Sequence, residues 1–121
     1  KRRASWHGEF SSPVTDLHED YIRPQENGSH WGCHYVTVGC GCTGLAVYGQ
    51  PFSFNASAYT QEELAEKAHN FELVKSGRTV LCLDGQMSGI GSNSCGPELL
   101  EQYRVGAEPI TLHLILKPLT K

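Results

Sequence analysis

Residues 30–57, HWGCHYVTVGCGCTGLAVYGQPFSFNAS, decide the fold. The first eleven are rich in aromatic and β-branched side chains, the composition of a strand. CGCTG, at 40–44, sets two glycines about a cysteine and reads as a turn. LAVYG (45–49) and PFSFNAS (51–57) read as two further strands, parted at Gln50 and Pro51. In the second, Phe52 and Phe54 fall on one face and Ser53 and Asn55 on the other, because side chains alternate along a strand. Short strands joined by tight turns make the chain mainly β.

Working outward, YTQEELAEKAHNF (59–71) is the one helical pattern, with its helix expected near 61–69. Thr60 and Glu63 have the spacing of a capping box. Leu64 and Ala68 share a face, with acidic residues early and Lys67 and His69 late, as the helix dipole prefers. RTVLCLD (78–84) reads as a strand and GQMSGIGSNSCGP (85–97) as a glycine-rich loop. In PITLHLILKP (109–118), Ile110, Leu112, Leu114 and Leu116 alternate as in a half-buried strand, which Pro118 ends. Upstream, residues 1–30 are polar and irregular, with breaks at Pro13 and Pro24. They are expected to form an extended lead-in to a β-sandwich over 31–121. No internal repeat or interdomain linker is visible, so the 121 residues are expected to be one domain.

Composition narrows the function. The net charge is −3, and the basic residues are scattered except for Lys1, Arg2 and Arg3, so no nucleic-acid footprint is indicated. No apolar run is long enough for a membrane helix. Five cysteines, an odd number without regular spacing, argue against a disulfide framework and for reduced thiols in a cytoplasmic protein. The sequons at Asn27 and Asn55 are then chance matches. The chain opens on KRRASW and its only Met is Met87, as expected of a piece cut from a longer protein.

Several constellations invite a chemical reading. His30, Cys33, His34, Cys40 and Cys42 are zinc-ligand types, but C-x-C is tighter than the usual C-x2-C, and Cys33 and His34 point to opposite faces of a strand. Buried thiols and surface histidines are the preferred reading. GIGSNSCGP lacks both the third glycine of a dinucleotide fingerprint and the lysine of a P-loop, so a turn about Gly89, Gly91 or Gly96 is preferred to a phosphate cradle. Ser94 and Cys95 lack the strand–turn–helix setting of a nucleophile elbow. Glu26, within YIRPQENGSHWGC (21–33), and Asp84 are acids without an evident pairing; a carboxylate between Gln25 and Asn27 more often bonds backbone amides. Trp6, Trp31, Tyr35, Tyr48 and Tyr59 have flat rings suited to sugar C–H faces, and Tyr48 is the one best placed to reach a ligand.

Four stretches together, YIRPQENG (21–28), PFSFNASAYTQEEL (51–64), LDGQMSGIGSNSCGP (83–97) and ITLHLILKPL (110–119), resemble the C-terminal end of the glycoside hydrolase family 2 β-galactosidases, in the same order and over nearly the whole chain. The resemblance implies part of an antiparallel β-sandwich of the supersandwich, galactose-mutarotase-like type. It implies a parent enzyme that removes terminal β-D-galactose with retention, through two glutamates on a separate barrel domain. It also implies that the family's Mg²⁺ and Na⁺ are bound by other domains, so this chain has no catalytic residue and no cofactor. Its partners would be the catalytic barrel, in the same or another chain, and through it the β-galactoside. The family's aromatic residue at the substrate rim lies four positions before the first Phe of the F-x-F strand, which here is Tyr48, a Tyr where well-known members have Trp. Where some members carry paired aspartates and a Trp in the glycine-rich loop, this chain has Ser92, Asn93, Ser94 and Cys95, so no role transfers there. The 121-residue chain alone is expected to be inactive and to self-associate. The alternative is a stand-alone carbohydrate-binding β-sandwich without catalysis.

Overall fold

The chain reverses at Gly41 and Cys42, a two-residue loop between β1 (His30–Cys40) and β2 (Thr43–Ser57). Gly41 takes a φ of 62°, the region that tight hairpin turns require at their first central residue. This turn is the origin of the fold in a computed structural model that describes residues 7–20, 27–88 and 96–120. Trp6, residues 21–26 and the 89–95 part of the glycine-rich loop lie outside the described residues.

Two more strands complete one antiparallel sheet: β3 (Val80–Asp84) and β4 (Leu114–Thr120). The order is β1-β2-β3, and β4 also pairs with β2, which is thus bonded to all three others. The β2–β4 register runs from Thr43↔Thr120 to Gly49↔Leu114. Among the described residues one short helix, α1 (Gln61–Glu66), and three 3-10 turns accompany the sheet, so the chain is mainly β, consistent with a β-sandwich-like domain.

The two expected strands at 45–49 and 51–57 are one. Pro51 does not break β2: the Gln50 amide turns to β4, so the donorless nitrogen of Pro51 turns to the opposite edge and the β4 ladder loses nothing. On the other edge, counting back from the two-residue turn sets Gly32 opposite Pro51. Gly32 has a φ of 65°, a local departure from regular pairing where the donor is lacking.

Pro118 does not end the last strand either. The amide of Gln50 donates to the carbonyl of His113 at 3.4 Å, so 50 and 113 are a hydrogen-bonded pair. In an antiparallel ladder such pairs alternate, which makes 48↔115, 46↔117 and 44↔119 bonded and 45↔118 non-bonded. Pro118 therefore turns its donorless nitrogen away from β2, and the ladder loses nothing. Ile110 and Leu112 precede the strand, and Leu116 is exposed. The expected half-buried alternation over 110–116 is thus not realised.

The helix is shorter than its pattern. Thr60 caps it, its hydroxyl accepting from the Glu63 amide at 3.1 Å. Glu63 does not reach back to complete the box; its carboxylate accepts from the Val74 amide at 2.9 Å. Glu72 accepts from the amides of Ala68 and His69 at 3.0 and 2.9 Å. Those amides would otherwise serve a continuing helix, so a carboxylate ends it at Glu66. Ala68, expected on the buried face, is exposed, and Lys67 and His69 fall beyond the last turn.

By internal contacts the chain forms two compact units: Lys1–Trp31 with Phe54–Leu83, and Gly32–Ser53 with Asp84–Lys121. In the first, Ala56 and Leu64 are buried. Asn55, also buried, donates its side-chain amide to the Asn27 carbonyl. Asn27 in turn exchanges two hydrogen bonds with the Glu19 backbone, at 3.2 and 2.8 Å. Asn27 thus serves as scaffold. In the second unit Val36, Ala46, Val47 and Phe52 form the apolar core, with Phe52 only 2% exposed.

Candidate functional site

Tyr48 stands in the middle of β2 and is 42% exposed, although its strand neighbours Ala46 and Val47 are fully buried. Three features fix its position. The backbone on its C-terminal side is clamped: a Cβ built on Gly49 would lie 2.3 Å from the His113 carbonyl oxygen and 2.8 Å from Leu114 Cδ2. Only glycine allows this approach, which belongs to a non-bonded pair, where antiparallel strands come closest. On β4, Ile115 lies directly opposite Tyr48 and so on the same face. On β1, the Tyr35 ring stacks with that of Tyr48, centroids 6.1 Å apart and planes 27° from parallel. This offset stack is a favourable geometry for two aromatic rings.

The result is a half-exposed surface of Tyr35, Tyr48 and Ile115. Flat rings with phenol tips offer an apolar face to sugar C–H groups and a hydrogen-bonding group at the edge. Reading the sequence singles out Tyr48 but not its partner. The signal is present: Tyr35 and Tyr48 are equally far from the two-residue turn, so a hairpin counted from Gly41 and Cys42 sets them opposite.

The other residues named from the sequence are placed apart. The His30 ring stacks on Phe54, centroids 4.7 Å apart and nearly parallel, and its Nδ1 is buried. Cys33 is partly buried, and desolvation pushes its thiol above the ordinary value of 9.0. His34, Cys40 and Cys42 are exposed. Among the described residues no three His, Cys, Asp or Glu side chains gather so as to hold a metal ion. Tyr59 packs against His18, ring centroids 5.0 Å apart. Trp31 is exposed at the start of β1, and Asp84 closes β3. Glu26, Ser94 and Cys95 lie outside the described residues. Among the described residues no helix is long and apolar enough to cross a membrane.

A family model described as beta galactosidase small chain matches residues 1–116. The chain is 54% identical over 99 residues to a beta-galactosidase of Actinobacillus pleuropneumoniae, covering 81% of the chain and 10% of that protein. It is 42% identical over 115 residues to a beta-galactosidase of Staphylococcus xylosus, covering 94% of the chain and 12% of that protein. A third, from Kluyveromyces lactis, is 36% identical over 101 residues, covering 81% and 10%. The chain spans about a tenth of the length of the curated relatives it matches.

Proposed function

Because the chain belongs to the β-galactosidase small-chain family, we propose that it is the terminal β-sheet region of a β-galactosidase, a structural part that also lends Tyr48 to the rim of the substrate pocket. The parent enzyme, of glycoside hydrolase family 2, removes terminal non-reducing β-D-galactose with retention: one glutamate attacks the anomeric carbon and a second moves the proton. Both glutamates, and the Mg²⁺ and Na⁺ of the enzyme, belong to other domains. The enzyme works in the cytoplasm, and this chain alone is inactive.

The observation that carries the rim role is the fixed, half-exposed Tyr48 ring, stacked on Tyr35 and placed four residues before Phe52. A single ring makes no pocket, so its contribution is to hold a sugar delivered by the rest of the enzyme. The structural role is supported by surface. Phe71, Val74, Leu100, Ile115 and Leu116 are exposed, the kind of surface that further protein covers.

The test is Tyr48→Ala in the parent enzyme. KM for a β-galactoside is expected to rise several-fold, roughly the 1 kcal/mol expected of one aromatic contact. Tyr48→Trp is expected to retain activity. Unchanged kinetics in Tyr48→Ala would remove the rim role. Saturable galactoside binding by the 121-residue chain alone would replace this reading with that of a carbohydrate-binding module.

A further inference from the structure

The C-x-C step forms the hairpin tip, but its two thiols are exposed and take no part in the Tyr48 surface. Of the five metal-ligand types that precede or form the turn, three are removed from it. His30 is stacked under Phe54. Cys33 and His34 lie six or more residues before Cys40 on the same extended strand, about 20 Å away. Cys40 and Cys42 remain, both exposed and both reduced.

The turn holds them together. Its ends, Cys40 and Thr43, are within about 7 Å, as any β-turn requires, and Cys42 is one residue short of that end. The Thr43 hydroxyl donates to the Cys40 carbonyl at 3.4 Å, closing the loop. Gly41, the residue between them, carries no side chain, and a Cβ built there would meet nothing within 4 Å beyond its two chain neighbours. Cys42 also borders an open depression of about 350 Å³, shared with Val38, Thr43, Leu119 and Thr120.

We propose that Cys40 and Cys42 form a two-thiolate site for a soft monovalent metal ion of the Cu(I) class. The number of ligands selects the ion. Zinc completes a four-ligand shell, and among the described residues no third His, Cys, Asp or Glu joins the pair. Thiolate sulfur prefers Cu(I), which two sulfurs satisfy. Binding exchanges two S–H bonds for two S–metal bonds and releases two protons, with no change of oxidation state. The tip lies six residues from Tyr48, about 20 Å along the strand, so the ion does not touch the ring surface.

The experiment titrates the reduced 121-residue chain, without oxygen, with Cu(I) supplied as its acetonitrile complex against a bicinchoninate competitor. One ion per chain is expected to be held, with thiolate-to-metal absorption in the near ultraviolet. Cys40→Ser and Cys42→Ser are each expected to lose it; both positions are exposed, and unchanged circular dichroism confirms that the chain stays folded. A variant with Cys33, Cys82 and Cys95 all changed to Ser is expected to keep the ion. Retention in both single variants, loss in the triple variant, or no ion held by the unaltered chain would each overturn the proposal.

Discussion

Replacing Gly49 by alanine adds one methyl group where the structure has no room for it. The new Cβ would meet the His113 carbonyl at 2.3 Å and Leu114 Cδ2 at 2.8 Å. The leucine tip can move, but the carbonyl belongs to the backbone and accepts the Gln50 amide. Relief therefore requires β4 to withdraw at this end. Forcing extra volume into a packed site costs about 1–3 kcal/mol. Loss of the Gln50–His113 bond adds about 1 kcal/mol. The sum, about 2–4 kcal/mol, is a large share of the stability of a domain of this size. Urea denaturation of Gly49→Ala beside the unaltered chain measures it. Hydrogen exchange at the β4 amides shows whether the loss begins there. Gly96→Ala is the control: nothing lies within 4 Å of its Cβ, so it is expected to be neutral or slightly stabilising. A Gly49→Ala chain within about 0.5 kcal/mol of the original, with β4 exchange unchanged, would refute the clamp at 49 and with it one of the three features that fix Tyr48.

Other outcomes follow from single interactions. Thr60→Ala removes the acceptor of the Glu63 amide and is expected to cost about 1 kcal/mol, read by urea denaturation, whereas Thr60→Ser should largely restore it. The raised Cys33 thiol is expected to alkylate more slowly than those of Cys40 and Cys42 and to gain rate only at higher pH, followed by mass spectrometry of iodoacetamide-treated protein. The same burial sets a sign for stability. Below the ordinary value of 9.0 the thiol is neutral folded or unfolded; above it the unfolded chain ionises first, so stability falls as pH climbs through that range. The exposed apolar side chains are expected to make the chain associate, so sedimentation should show species heavier than one chain at high concentration; a monodisperse monomer would count against it.

The strongest local signals are legible in the sequence: the turn at 41–42, the strand character of 30–57, the capping Thr60 and the mainly β class. The departures share a cause. Pro51 and Pro118 read as punctuation because proline lacks a donor. Whether that lack matters depends on which way the nitrogen faces in the ladder, and only the register tells. The helical pattern overruns the helix because periodicity does not show that the Glu72 carboxylate captures the amides of Ala68 and His69, and the capping-box spacing does not show that Glu63 turns to the Val74 amide. The expected alternation at 110–116 fails on the far side of β4, because an apolar residue becomes buried only if something packs against it. Tyr48 comes from the aromatic set and from the resemblance. Its partner Tyr35 needs only the hairpin count, a step in pairing rather than in composition.

The proline in β4 has a consequence for how such chains meet. The outward amides of that strand are those of the non-bonded residues 114, 116, 118 and 120, and the third is missing. A foreign strand laid along this edge would find a gap in its row of donors, and a stack of copies would repeat the gap at every layer. The chain is thus adhesive across its faces but a poor template along its margin. Crowding should gather it into clusters of limited order rather than seed a growing fibre.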